Sequence, residues 1–388
     1  MIYNLITKEV CILSPVHGIH KLPVSIKQAD AYELLMKLAE VASKIGRLDE
    51  KFKRSILRSD FINMLALKES VQSTRIEGTQ VTFTDMVEQI HKTKPKWEHV
   101  EVNNYQQALI SGHERIQNGY PITTRLILDL HSTLMEGARG TNISSGAFRK
   151  IQNFIGPTNK IEDAVYIPID ANEIESYMEN WEVYANKHPY GEKLPTAHLQ
   201  GDEMILDENS HPLLKVAILH AQFESIHPFL DGNGRLGRIL IALYIVQSKL
   251  VSSPIFFVSE ELEKQRARYY HLLNGVRGKN PDWGSWLKFF LNAADRMADK
   301  LTALLDKAES MAENGLAKCE REIQRNVYLF TFREPNTTAL QVAKQFKIAT
   351  STARNVLNEL HELDLVFKDA SRKRNIEYFN YDVLDLLN

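Results

Sequence analysis

The sequence predicts a mainly α-helical protein with one short β-hairpin and a separate C-terminal module. Three observations lead there. Apolar residues recur at helical spacing over most of the chain. The stretch 146–169 instead holds β-branched and aromatic residues around the turn-like run GPTNK. Near residue 320 the pattern changes to helix, turn, helix and a strand-like run. At 388 residues the chain is too long for one ordinary domain, and about two or three are expected.

Residues 28–90 read as helical. Within them FINMLALKESVQSTRIEGTQ places Ile62, Leu65 and Val71, with Met64 and Leu67, near helical spacing, and Gly78 stands where a helix would stop. Further helices are expected over 101–117 and 122–138, before the hairpin. Residues 171–188 and 212–226 return to helix, with Pro212 at a favourable first-turn position. RILIALYIVQ is apolar nearly all round, which predicts a buried central helix. Helices over 260–275 and 283–315 complete the main body. EREIQRNVYLFTF predicts one helix, TTALQVAKQFKIATSTARNVLNELHELDLVFKD a helix–turn–helix, and YFNYDV a strand, which together make a winged-helix pattern. The boundary before this module falls near 315–320, around Asn314-Gly315.

Composition narrows the class. Apolar residues make up 44% and charged residues 25%, which suits buried cores rather than disorder. A net charge of −2 creates no global field toward nucleic acid or membrane. Cys11 and Cys319, far apart, specify neither a disulfide framework nor a zinc site. The start MIYNLITKEV lacks the basic segment and long apolar run of a signal peptide. The longest apolar stretch, 239–246, is far short of a membrane span. The expectation is a soluble, cytoplasmic protein with no membrane partner.

The chemistry concentrates in His227-Pro228-Phe229-Leu230-Asp231-Gly232-Asn233-Gly234-Arg235-Leu236-Gly237-Arg238. Gly232 and Gly234 let the backbone turn tightly and approach a ligand. A helix starting near Asn233 would aim its free N–H groups and positive dipole end at the loop, a ready anion site. Arg235 and Arg238, three apart, oppose that dipole, a cost tolerable where an anion binds. His227 has the near-neutral imidazole that suits general-base work on a hydroxyl. Asp231 supplies one hard oxygen for Mg²⁺, which commonly takes one or two carboxylates and fills its shell with phosphates and water. Base, metal ligand, anion loop and arginine clamps together suit attack on a nucleotide phosphate. Two other readings compete. Gly232 to Gly237 also fits G-x-G-x-x-G, but no strand leads directly into it and the flanks read as helical. A merely packed turn would leave the run of polar and glycine residues without a purpose. No G-x-x-x-x-G-K-[ST] occurs, which excludes a Walker loop.

The segment resembles the Fic signature H-x-F-x-[DE]-G-N-G-R-x-x-R, with every defined position filled. The resemblance implies a Fic-type helical bundle with a β-hairpin flap, over most of residues 1–310, and transfer of AMP from ATP to a Ser, Thr or Tyr hydroxyl of a target protein. By that resemblance His227 is the base, Asp231 holds Mg²⁺ at the α- and β-phosphates, and Gly232, Asn233 and Gly234 form the anion hole. Arg235 contacts phosphates, Arg238 grips the γ-phosphate and Phe229 anchors the loop in the core. The hairpin is similar to the flap that covers ATP and aligns the target by strand addition, with Ile155, Gly156, Pro157 and Thr158 on it and Gly146 and Arg149 before it. Arg268-Tyr269-Tyr270 resembles the segment whose aromatic pair lies near the adenine, where Tyr269 and Tyr270 would sit against the base.

A second motif, Ser73-Thr74-Arg75-Ile76-Glu77-Gly78, fits the inhibitory pattern [ST]-x-x-x-E-[GN] of autoinhibited Fic proteins. A carboxylate at a helix C-terminus opposes the dipole, so Glu77 needs a cation, and Arg238 is the implied partner. The expected layout is an N-terminal helical region over 1–100 with the inhibitory helix at about 62–78, a catalytic core over 101–315 and a winged-helix module over 318–388. From Lys318 onward eleven Lys or Arg face ten Asp or Glu, a poor electrostatic footprint for DNA. The recognition-position helix, 350–360, still offers Ser351, Thr352, Arg354 and Asn355, and 371–374 could form a basic wing tip. The alternatives left open are a DNA-binding regulator with a Fic sensor domain, an AMP-removing enzyme, a protein-binding winged helix and a homo-oligomer.

Overall fold

The computed structural model describes residues 14–89, 96–137, 145–158, 160–187, 203–369, 371 and 375–388. It opens with β1 (Val16–His17) and β2 (Val24–Lys27), then α1 (Gln28–Arg54), α2 (Arg58–Ile76), α3 (Phe83–Gln89), α4 (Trp97–Gln117) and α5 (Thr124–Leu134). Next come β3 (Tyr166–Ile167), α6 (Ile174–Asn186), β4 (Glu203–Leu206), α7 (Pro212–Ile226), α8 (Asn233–Gln247), α9 (Ser259–Glu263), α10 (Arg266–Gly275) and α11 (Trp283–Lys318). α7 and α8 form the centre. Every residue of α7 over 213–226 is buried, and α8 is buried nearly all round, as its continuous apolar sequence predicted. α2, α4 and α5 flank α8, and α6 and α11 flank α7.

α1 buries Leu34, Leu38, Val41, Ile45, Leu48 and Phe52, a three- and four-residue spacing that lays one face along α11. Lys37 and Lys44 reach Asp295 at 2.7 Å each, and Lys44 reaches Asp299 at 2.8 Å, along the rim of that seam. The four-residue strands β2 and β4 pair antiparallel although far apart in sequence, and such short runs gave no strand signal of their own. The expected hairpin over 146–169 is not a two-strand ladder. Ile155 makes a single antiparallel bridge to Tyr166, and a 3₁₀ turn over Ile161–Asp163 fills the span between them. Pro157 has no N–H to continue a ladder, and Gly156 lies so close to Asp163 that a Cβ there would be 2.7 Å from its carbonyl oxygen.

The chain ends with α12 (Glu322–Phe330), β5 (Asn336–Thr338), α13 (Ala339–Phe346), α14 (Thr350–Glu362), β6 (Phe367–Lys368), β7 (Glu377–Phe379) and α15 (Tyr381–Leu387). β7 lies between β5 and β6 in an antiparallel sheet, and Lys347 in the left-handed region makes the turn between α13 and α14. YFNYDV is strand only as far as Phe379, because the Asn380 side chain caps a helix by accepting from Val383 N–H. Asn314-Gly315 is no linker. α11 runs on to Lys318, and a Cβ on Gly315 would fall 2.2 Å from the Tyr328 ring of α12. The end of the chain rests on α2 and α3: Lys68 Nζ donates to Leu387 O at 2.7 Å, and Thr84 Oγ1 to Asn388 Oδ1 at 2.9 Å. No helix among the described residues is long and apolar enough to cross a membrane. Cys11, residues 90, 138 and 188 at the ends of expected helices, and 372–374 of the expected wing tip lie outside the described residues.

Candidate active site

α7 ends at His227, which adopts left-handed φ and ψ of 50° and 60° and donates its N–H to Phe223 O at 3.0 Å. A non-glycine residue in that conformation directly before proline costs about 1–3 kcal/mol. Arg149, 2% exposed, holds it there. Its Nε donates to His227 O at 3.0 Å and its backbone N–H to Pro228 O at 2.9 Å. Its Nη1 and Nη2 donate to Ile151 O and Ile169 O at 3.0 and 2.6 Å, tying the loop to the flap segment. Phe229 is fully buried and stacks on His131 at 3.7 Å between ring centroids. The Asn233 side chain turns back into the loop, accepting from Phe229 N–H at 2.9 Å and donating to Phe229 O at 2.8 Å. Gly232 sits at φ 79°, and a Cβ there would meet Met135 Sδ at 2.9 Å. The loop is therefore closed on itself before any ligand arrives.

His131 is a site residue that sequence reasoning missed, since one histidine on a helix face carries no signal. Gly146 N–H donates to its Nδ1 at 3.0 Å, which makes Nδ1 the bare nitrogen and Nε2–H the donor to Asp231 O at 3.1 Å. Burial holds its pKa below the ordinary histidine value, so this tautomer persists.

His227 Nδ1 lies 3.3 Å from Glu224 O. An N–H there leaves Nε2 as a free proton acceptor. Burial, then the Arg277 guanidinium, pulls the imidazole down to about 4, so it is neutral at ordinary pH. Arg277 itself is buried, donates to Ser225 Oγ and Glu224 O at 3.1 and 3.3 Å, and lies 3.9 Å from the Tyr166 ring centroid.

α8 begins at Asn233, so the first-turn N–H groups of Asn233, Gly234 and Arg235 have no acceptor within the helix. The Glu77 carboxylate already lies over that turn. A Cβ on Gly234 would be 2.3 Å from Glu77 Oε1. Glu77 is the C-cap of α2, and its Oε1 accepts from Arg238 Nη2 at 2.7 Å. Arg238 Nε also donates to Ser73 Oγ at 2.7 Å and its Nη2 to Ser73 O at 3.0 Å. Gly78 follows at φ 100°, where α2 stops. Ser73 and Glu77 thus both meet Arg238, across the two sequence motifs. Burial works against the Glu77 charge, but Arg238, assisted by Arg235, holds the carboxyl below its ordinary range. Burial also opposes the charge of Arg238, and Glu77 together with Tyr269, Glu224 and Tyr105 more than offsets it.

Arg235 is buried 3.4 Å from Glu101 and from Asp231, and its Nε is buried without an acceptor. Asp231 is mostly exposed, and its Oδ1 accepts from Gly232 N–H at 2.6 Å. An exposed hard carboxylate beside free amides and an unpartnered buried guanidinium donor fits a magnesium-bound phosphate chain. Among the described residues no group of three or more metal-ligating side chains is present. Of the flap residues, Ile155 is bonded to Val165 and Tyr166, while Thr158 bonds the Asp163 side chain. Tyr269 needs correction. It is 1% exposed, its hydroxyl is 2.9 Å from His220 Nε2, and it packs near Trp286, so it has no open face for a base. Tyr270 is 40% exposed and lies in the field of Glu77. Glu224 was also missed. It is buried against Gly237, its Oε1 has no partner, and burial raises its carboxyl to about 7.

Known proteins resemble this chain in sequence and fold. A family model described as Fic/DOC family matches residues 121–245, and one described as Fic/DOC family N-terminal matches 35–114. Together they cover just over half of the chain, which belongs to the Fic/DOC family. A relative from Drosophila erecta named protein adenylyltransferase Fic is 24% identical over 202 residues, 52% of this chain and 34% of the relative. Its counterpart from Drosophila grimshawi is 22% identical over 202 residues, again 52% of this chain and 35% of the relative. This chain thus spans about a third of the length of those relatives. The crystal structure of a Fic family protein from Desulfovibrio desulfuricans G20 superposes with TM-score 0.55 at 18% identity, over 93% of this chain and 98% of that one. A Fic domain containing signaling protein from Bacteroides thetaiotaomicron VPI-5482 gives TM-score 0.51 at 19% identity, over 71% and 97%. These two likenesses establish the fold.

Proposed function

We propose that this protein transfers AMP from ATP to a hydroxyl of a protein target, which could include itself, and that Glu77 holds it in an inhibited state. The observation that carries the reading is the Glu77 carboxylate over the α8 N-terminus, bonded to Arg238: an anion already occupies the place and partners a phosphate would use. In the reaction His227 Nε2 takes the hydroxyl proton as the oxygen attacks the α-phosphorus. The bond from that phosphorus to the pyrophosphate oxygen breaks, and pyrophosphate leaves. The first-turn amides of α8 stabilise charge on the phosphate oxygens, and Arg235 supplies its unpartnered donor. Asp231 would hold Mg²⁺, which when bound neutralises charge across the phosphates. Arg238, once freed from Glu77, clamps the terminal phosphate. The segment 155–158 would align the target chain by its backbone, and Tyr270 presents the open aromatic face for the base.

The decisive comparison uses ATP labelled at the α-phosphate and intact-mass spectrometry. The Glu77→Gly variant should place an AMP adduct on itself or on proteins of a cell extract, and Glu77→Gly with His227→Ala should place none. Equal labelling by the two variants would overturn His227 as the base. An adduct other than AMP would overturn the reaction.

A further inference from the structure

The C-terminal module carries a face that AMP transfer does not use. Over the first turns of α14, Thr350, Ser351, Thr352, Arg354 and Asn355 are exposed, and their side chains make no hydrogen bond or ion pair among the described residues. The opposite side of α14 buries Ala353, Val356, Leu357 and Leu360 against the rest of the module. The module's far end is occupied by the contacts of α15 with α2 and α3.

The near-neutral charge of this region conceals a segregation. Residues 335–358 contain Lys344, Lys347 and Arg354 and no Asp or Glu. The other basic side chains described from residue 318 onward are all engaged. Lys318 donates to Leu363 O at 3.2 Å, Arg325 to Cys319 O at 3.1 Å and Lys368 to Asn358 Oδ1 at 2.8 Å. Arg321 pairs with Glu359 and Arg333 with Glu334. Lys344, Lys347 and Arg354 are exposed and have no such partner. Among the described residues from 318 onward, the basic side chains without a bonding partner therefore collect on α13, the turn after it and the N-terminal half of α14, in a stretch that holds no carboxylate. A helix–turn–helix places that same half-helix into a major groove, with the preceding helix across the backbone.

We propose that this module binds duplex DNA, with the start of α14 in the major groove. Arg354 and Asn355 have the donor and acceptor sets that read guanine and adenine edges. Lys344 and Lys347 meet phosphates on either side, with Ser351 and Thr352 adding hydroxyl contacts. The proposal is independent of the AMP-transfer reading, because it uses none of the same residues and is read out without ATP.

The test is fluorescence anisotropy of the full chain with a labelled random-sequence duplex, followed by selection of a preferred sequence from a random pool. At about 50 mM salt the duplex should be retained, and with Lys344, Lys347 and Arg354 as contacts the logarithm of affinity should fall with that of salt at a slope of about −2 to −3. Arg354→Ala should lower affinity for the selected sequence about tenfold or more. Lys344→Ala and Lys347→Ala should each weaken all duplexes alike and reduce the slope by about one. Two outcomes overturn the proposal: no retention of any duplex at low salt by folded protein, or retention unchanged when Lys344, Lys347 and Arg354 are all replaced by Glu. The second would place nucleic acid elsewhere and leave this face to a protein partner.

Discussion

Replacing Glu77 by Gly should release the proposed enzyme, and the size of the effect follows from the geometry. Glu77 Oε1 accepts a charge-assisted hydrogen bond from Arg238 Nη2 at 2.7 Å. Such a bond to a buried guanidinium is worth about 1.5–3 kcal/mol. The Glu77 side chain is 36% exposed, so solvent screening favours the lower end, about 1.5 kcal/mol. A terminal phosphate that needs Arg238 must break this bond. Removing the carboxylate should then raise productive turnover at limiting ATP by about tenfold, and by about a hundredfold at the upper end. Folding should suffer little. Glu77 lies at the end of α2 rather than within it, and Arg238 keeps both of its bonds to Ser73. The assay is the initial rate of label transfer from ATP labelled at the α-phosphate, with ATP affinity measured in parallel by calorimetry. Glu77→Gln, which keeps the volume and removes the charge, should fall between native protein and Glu77→Gly. A folded Glu77→Gly variant that binds ATP yet transfers label no faster than the native chain would refute the reasoning.

Three further outcomes follow from the same geometry. His227 is lowered to about 4, and its neutral form is the proposed base, so the acid limb of the rate profile of Glu77→Gly should fall near pH 4 rather than near 6.5. An acid limb at 6.5 would mean that the imidazole is solvated. Glu224 is raised to about 7, so its folded form holds a proton that the unfolded chain loses near 4.5. That contribution is present at low pH and lost as pH rises through 7. The stability of Glu224→Gln relative to native protein should therefore increase between pH 5 and pH 8, read as the melting temperature. Finally, Gly315→Ala forces a methyl group to 2.2 Å from the Tyr328 ring and should destabilise the chain by about 1–3 kcal/mol in denaturant unfolding. A neutral substitution there would show that α12 can shift freely against α11.

Much of the site was legible because its chemistry is local in sequence. The run from His227 to Arg238 holds the imidazole, the loop, the exposed carboxylate and both guanidinium groups, and the helix after it was evident from RILIALYIVQ. Glu77 was legible through its own short motif, since a carboxylate ending a helix demands a cation. The hairpin was read too regularly. Its residues favour strand, but Pro157 and the close approach of Gly156 to Asp163 leave one bridge. Tyr269 was misplaced for a related reason. Spacing puts Tyr269 and Tyr270 side by side, and it does not say which ring faces the core.

By itself the sequence determined the order of the main helices and the composition of the loop before α8, and it pointed to a cation partner for Glu77. Tertiary structure decided that Arg149 and His131 hold that loop shut, through bonds from Arg149 to His227 O and from His131 to Asp231 O. It also decided that Glu77 lies on Gly234, and that Lys344, Lys347 and Arg354 are left without a bonding partner. The division has a physical cause. Turn propensity, helix spacing and donor inventory belong to neighbours along the chain. Burial, ion pairing and the pKa of an imidazole depend on groups that folding brings together from distant parts of the chain, as it does Arg238 and Glu77 at a separation of 161.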